Sequence, residues 1–157
     1  MATPKPKSLC SVRSSAIHGR GVIATKLIRK GARIIEYRGT RSTMEAEHKK
    51  PPSDPRNPYH TFLFELSDGT AINAAVAGNA ARWINHSCDP NCEAVEDDGR
   101  VFIYAKRTIR AGDELTYDYR LTLPGRVTLQ ARKAFACNCG AKICRGAMLQ
   151  RSSSIKR

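Results

Sequence analysis

The sequence predicts a small β-rich domain, and three observations carry that prediction. Apolar and β-branched runs are short and closely spaced, each closed by Gly, Pro or Asp turn residues. Helical periodicity never persists for more than a turn or two. The chain has 157 residues, 41% of them hydrophobic, which suffices for one core and is too little for two comfortable ones.

The elements follow in order. Residues 1–9 are Pro/Lys-rich and are expected to form a flexible basic N-terminus. After the turn His18-Gly-Arg-Gly21, Val22–Ala24 reads as a strand, and Ile34–Tyr37 as the next, closed by Gly39. Thr43–Lys49 contains acceptable helix formers, and the Pro-rich run Pro51–Pro58 ends it as a loop. A hairpin is predicted from Thr61–Leu66, the turn Ser67-Asp-Gly69 and Thr70–Asn73. Asn79–Ile84 reads as a helical turn or two, Val101–Ala105 as a strand, and Glu114–Tyr119 as another after the turn Ala111-Gly-Asp113. The Ser-rich end, 150–157, is expected to be a flexible tail.

Charge and cysteines narrow the function. Lys and Arg number 27 against 14 Asp and Glu, a formal net charge of +13. Such a balance attracts polyanions: nucleic acid, nucleosomes or an acidic protein surface. No apolar run approaches the ~20 residues that span a bilayer, and the start has no secretory-signal pattern, so a soluble chain made in the cytoplasm, without membrane contact, is expected. Of the six cysteines, Cys137, Cys139 and Cys144 crowd into eight residues as C-x-C-x4-C. That spacing favours a shared metal ion over disulfide pairing, and tetrahedral zinc then needs a fourth ligand from elsewhere in the chain.

Two further stretches ask for a function. Arg82-Trp-Ile-Asn-His-Ser-Cys-Asp-Pro-Asn-Cys92 concentrates Asn, His and Cys, and Tyr117-Asp-Tyr119 places two hydroxyls on one side of a strand with a carboxylate opposite. Taken singly, His86 reads as a surface or core histidine, the tyrosines as strand aromatics, and His18-Gly-Arg-Gly21 as a turn. In combination and in this order they say more.

Together with Glu36-Tyr-Arg-Gly39, Gly112-Asp-Glu-Leu-Thr-Tyr-Asp-Tyr119 and the cysteine tail, they resemble the SET-domain protein-lysine methyltransferases over about residues 10–149. The resemblance implies a β-clip of small sheets around a pseudoknot with few short helices, where the Asn-His-Ser and Tyr-Asp-Tyr stretches meet. It places a SET domain at 10–121, and a linker and zinc-binding post-SET segment at 122–149. It implies an S-adenosyl-L-methionine-dependent lysine N-methyltransferase (EC 2.1.1 class). Tyr119 would be the catalytic tyrosine, with Tyr117 at the position that restricts product number and leans toward lower methylation states. His18, Gly19, Arg20, Gly21, Phe62, Asn85, His86 and Asn138 would bind the cofactor. Cys88 would join Cys137, Cys139 and Cys144 on one structural zinc ion. Phe62 stands where many relatives carry a tyrosine, so a hydroxyl is missing from the shared wall of cofactor site and lysine channel.

By analogy the substrate is a histone tail or another basic protein, and the basic surface would serve nucleosome or nucleic-acid contact. A monomer or weak dimer is expected, at the nucleus or chromosome if chromatin is the target, or in the cytoplasm of a bacterium. A plain zinc-dependent nucleic-acid binder would explain the charge and cysteines, but neither the Asn-His-Ser nor the Tyr-Asp-Tyr stretch.

Overall fold

β-Branched and aromatic residues alternate in runs too short to cover much surface alone, and among the described residues they assemble into four small sheets. The computed structural model describes residues 4, 7–52, 54–56, 61–123 and 125–150. Strands β1 (Cys10–Ser14) and β2 (Arg20–Ala24) form an antiparallel pair. Strands β3 (Arg33–Tyr37), β8 (Cys92–Asp97) and β9 (Arg100–Ala105) form a sheet with β9 at its centre. Val101, Phe102 and Ile103 of β9 are all buried, as a strand covered on both faces requires. The third sheet joins β4 (Thr40–Thr43), β6 (Thr70–Asn73) and β5 (Leu63–Glu65), with β6 central. The fourth is a parallel pair, β7 (Asn85–His86) with β10 (Thr116–Tyr117).

Helices are few and short. Helix α1 (Met44–His48) begins at Thr43, whose hydroxyl accepts from the Ala46 N–H, a standard N-cap. A 3₁₀ turn, Ala80–Trp83, leads into β7. Helix α2 (Leu129–Ala134), capped by Thr128, lies in the segment expected to be a linker. The core gathers Val22, Ile28, Ile72, Ile84, Val101, Ile103, Ile109 and Leu115, all essentially inaccessible to water. A mainly β chain of small sheets is thus what forms.

One strand differs from expectation. The run Glu114–Tyr119 changes partners: Glu114 bridges to Ile23 and the Leu115 N–H donates to Val22 O, whereas only Thr116–Tyr117 pair with β7. Asp118 then ends the strand by accepting the Arg120 N–H, with Arg120 in the left-handed region at φ 48°. Tyr119 therefore lies beyond the strand end and not on its pleat.

The C-terminal segment returns to the domain. Ala136 bridges to Ala147, the Met148 N–H donates to Phe135 O, and Leu149 bridges to Leu121. Gln150, the first residue of the expected tail, donates its N–H to Leu121 O; 151–157 fall outside the described residues. At the other end, Ser8 O and Leu9 O both accept from Thr25; residues 1–3 and 5–6 also fall outside, as do 53 and 57–60 of the Pro-rich loop. No described helix is long and apolar enough to cross a membrane.

Candidate active site

The parallel pair decides where the site lies. It sets Thr116 opposite Asn85 and Tyr117 opposite His86, joining two stretches that are far apart in sequence. Beside the pair opens a cleft of about 630 Å³. Its walls include His18, Gly19, Arg20, Phe62, Asn85, His86, Tyr117, Tyr119 and Asn138. All the residues expected to touch the cofactor or the reacting lysine therefore line one cavity, except Gly21.

Gly21 lies behind the wall, where a Cβ would come within 2.3 Å of the Glu114 carboxylate. Its missing side chain admits Glu114, which accepts the Ser15 hydroxyl at 2.7 Å and an Asn85 amide N–H at 2.9 Å. The Asn85 amide is also within hydrogen-bonding distance of His18 O, Arg20 O and Ser15 Oγ. Asn85 thus fastens the His18–Arg20 loop to β7, and Ser15 and Glu114 fix Asn85. Neither Ser15 nor Glu114 was expected from sequence.

Arg82 and Trp83 were also missed as wall residues. Trp83 packs edge-on against Phe62, with ring centroids 5.1 Å apart. The Arg20 guanidinium lies 5.1 Å and that of Arg82 4.9 Å from the Trp83 ring centroid. Two cations held against one aromatic ring at the cleft would suit an anionic group such as a carboxylate. Phe62 itself has no hydroxyl, but its carbonyl accepts the buried Tyr37 hydroxyl at 3.0 Å.

The tyrosines adjoin each other, with ring centroids 4.9 Å apart. Tyr119 donates its hydroxyl proton to Ile84 O, which leaves the oxygen lone pairs for the cleft. Burial raises its pKa above the ordinary phenol value, so the hydroxyl stays neutral. Burial likewise raises Tyr117, whose hydroxyl has no protein partner among the described residues.

His86 is buried and held neutral. Desolvation lowers its pKa to about 4, outweighing the nearby Asp118 carboxylate, which acts in the opposite sense. Its Nδ1 accepts the Tyr119 backbone N–H at 3.0 Å, so Nε2 carries the proton and faces the Cys88 sulfur at 3.4 Å. The Nδ1–Asp118 approach of 3.6 Å is therefore no ion pair. Both ring nitrogens are committed, and His86 serves as a strut.

The strut leads to the cysteines. The Cys88, Cys137, Cys139 and Cys144 sulfurs all lie within 4.8 Å of one another, Cys88 being 3.8 Å from Cys137 and 3.9 Å from Cys144. Thiolates ~2.3 Å from a tetrahedral ion stand about 3.8 Å apart, so the set fits a metal such as zinc. Burial opposes ionisation of Cys139, yet backbone N–H groups and the neighbouring thiols outweigh it and bring the thiol down to about 6. Backbone N–H groups of Arg145 and Gly146 also donate to Cys88 and Cys144 sulfur. The remaining thiols, Cys10 and Cys92, are buried elsewhere, and burial pushes Cys92 up to about 12.

A family profile described as SET domain matches residues 19–120, well over half of the chain. The chain belongs to the SET-domain family. Relatives agree. It is 38% identical over 143 residues to human histone-lysine N-methyltransferase 2B, covering 88% of this chain and 5% of that protein. It is 39% identical over 150 residues to the Candida albicans histone-lysine N-methyltransferase described as H3 lysine-4 specific, covering 92% and 14%. It is 35% identical over 161 residues to Xenopus tropicalis histone-lysine N-methyltransferase SUV39H2, covering 90% and 39%. The chain thus spans only a small part of the length of these SET-domain relatives.

Proposed function

We propose that this SET domain is a protein-lysine N-methyltransferase that uses S-adenosylmethionine and acts on histone or other basic, nucleic-acid-associated protein tails. The observation that carries the reading is the meeting of Asn85-His86 and Tyr117–Tyr119 at one cleft, with the Tyr119 hydroxyl proton committed to Ile84 O. The cofactor, when bound, would supply an electrophilic methyl group on a sulfonium sulfur.

His18, Gly19, Arg20, Phe62, Asn85, His86 and Asn138 would hold it. The cleft fits: aromatic wall for an adenine, backbone groups along the His18–Arg20 loop, and Arg20 and Arg82 for a carboxylate. Gly21 contributes by seating Glu114 and not by contact.

A lysine amine attacks only when neutral, and its ordinary pKa is ~10.4. Removal from water in a tyrosine-walled channel lowers that value. Tyr119 offers the amine a lone pair, because its own proton is spent on Ile84 O. It orients the amine and takes no proton from it, and such alignment can supply several kcal/mol (~7 or more in the best cases). The Tyr117 hydroxyl, without a protein partner among the described residues, leaves a place for a water that would crowd an amine already methylated, favouring lower methylation states.

One zinc on Cys88, Cys137, Cys139 and Cys144 would fasten Asn138 over the cleft. Four thiolates leave no open position, so the ion would be structural. Action on chromatin, in a nucleus or on a chromosome, suits the +13 charge, since a basic enzyme is steered to nucleic-acid-bound tails better than to free basic peptides.

The test is methyl transfer from labelled cofactor to core histones, nucleosomes and a cell lysate, with Tyr119→Phe in parallel. Lysine labelling that depends on Tyr119 is expected. Absence of labelling on every substrate, or equal labelling by the variant, would overturn the assignment.

A further inference from the structure

Two segments outside the cleft share one pattern. Leu27-Ile-Arg-Lys-Gly31 and Thr108-Ile-Arg-Ala-Gly112 align, and the structure pairs them about Ile28 and Ile109. The Ile28 N–H donates to Ile109 O, and the Ile109 N–H donates to Ile28 O. Flanking bonds repeat the relation: Gly31 to Ala105 O answers Gly112 to Ala24 O, and Ala105 to Ala32 O answers Ala24 to Asp113 O. Gly31 and Gly112 take matching left-handed turns at φ 85° and 91°. Segments 24–32 and 105–113 are therefore related by a local two-fold axis through the Ile28–Ile109 bridge.

That axis places cations in pairs. Lys26 answers Arg107 and Arg29 answers Arg110, with Lys30 and Lys106 flanking; all six are exposed. Lys26, Arg29, Lys30, Lys106 and Arg110 have no carboxylate partner among the described residues. Arg107 makes one long, exposed ion pair with Asp89 at 3.5 Å, worth little in water. Asp113 accepts the Arg110 N–H, and Glu93 lies beside Lys106 on the neighbouring strand. None of the six cations lines the cleft, although Lys106 lines an adjoining cavity that shares Tyr117 and Tyr119, so a ligand on Lys26, Arg29, Arg107 and Arg110 would not occupy the cleft itself.

We propose that these exposed, two-fold-related cations bind the backbone of double-helical DNA. A duplex is two antiparallel strands related by two-folds across its grooves, so paired cations about one axis can meet phosphates of both strands; a single strand has no such relation. The contact would be phosphate-directed and sequence-independent, and would hold the domain beside its DNA-bound substrate. It does not depend on the methyl-transfer assignment, because its test measures binding alone.

The experiment titrates the purified chain with a labelled duplex of about 30 base pairs across ~50–200 mM salt. It compares wild type with Lys26→Gln/Arg29→Gln/Arg107→Gln/Arg110→Gln, and with the equal-charge control Arg13→Gln/Lys49→Gln/Arg56→Gln/Arg126→Gln. Losing four phosphate contacts should reduce the steepness of log affinity against log salt by about 3 to 4, and weaken binding at least about tenfold. The control should retain most of both. Equal loss in the control, wild-type binding by the paired variant, or equal binding to single strands would overturn the proposal. Should the paired variant not fold, acylation of wild-type Lys26, Lys30 and Lys106 with and without duplex decides. Protection relative to Lys49 supports it, and none refutes it.

Discussion

Arg145 grips Asp118 with both terminal guanidinium nitrogens, at 2.8 and 3.0 Å, while its backbone N–H donates to the Cys88 sulfur at 3.3 Å. Asp118 separates the two cleft tyrosines, so this one arginine latches the cysteine tail to the tyrosine stretch. A lysine would keep the charge and lose the fork. Arg145→Lys should cost about 1–2 kcal/mol of stability, from the range for charge-assisted bonds at a partly exposed site, and lower methyl transfer several-fold. Metal content should stay at the wild-type value. Unchanged transfer by Arg145→Lys would show that the latch does not position the site.

Metal removal should loosen only part of the tail. Cys137–Cys144 is held mainly through the four sulfurs, whereas Arg145 is held by Asp118, Ala147 and Leu149 are buried and Gln150 is bonded to Leu121. Chelation, or Cys88→Ser, should abolish near-stoichiometric zinc and raise amide exchange around Asn138, with Met148–Gln150 still protected. Uniform exchange through residue 150 would contradict this division.

The two tyrosines should separate in assay. Tyr119→Phe removes the lone pair proposed to orient the amine, and transfer should fall about 100-fold or more. Tyr117→Phe removes a hydroxyl with no protein partner among the described residues, so activity should persist while mass spectrometry of the product shifts toward higher methylation. A wild-type product distribution from Tyr117→Phe would exclude the hydroxyl as the restricting group.

Acid should weaken the fold through Glu36. Its carboxylate accepts two N–H groups of Arg100 at 2.9 Å and one of Arg38 at 3.1 Å. The Arg100 hydrogen bonds above all hold its pKa at about 2. The folded value is below the unfolded ~4.3, so the stabilisation is full above that pH and is lost as pH falls through about 2. Urea midpoints of wild type and Glu36→Gln should differ at neutral pH and converge toward pH 2. A constant gap would rule out the carboxylate as its source.

Much of this was legible from residue pattern, for physical reasons that vary by element. The hairpin Leu63–Asn73 and strand β9 announced themselves by β-branched and aromatic runs beside turn residues. Strand β8 was hidden because Cys-Glu-Ala-Val-Glu-Asp is acidic and poor in strand formers. Its position rests on the partner β9 and on the turn Asp98-Gly99, both at positive φ, a dipeptide that could have revealed it. Strand β1 carries little strand signal because of its polar Ser and Arg residues, although it pairs with β2 along its whole length. Within the site, Cys88 stands in the four-sulfur cluster the family resemblance implied. Ser15, Glu114 and Arg82 were not foreseen, because their importance comes from contacts made only after Asn85, Gly21 and Trp83 have been brought beside them.

The parallel pairing of Asn85-His86 with Thr116-Tyr117 has a consequence for the timing of assembly. During synthesis the cleft wall emerges in instalments: His18–Arg20 first, Asn85-His86 later, and Asn138 after both. No hairpin can close a parallel pair, so the ribosome must release Tyr117 before β7 finds its partner. Pairings this distant in sequence fold slowly, and a nascent chain halted before Tyr117 would display the loop without the pocket.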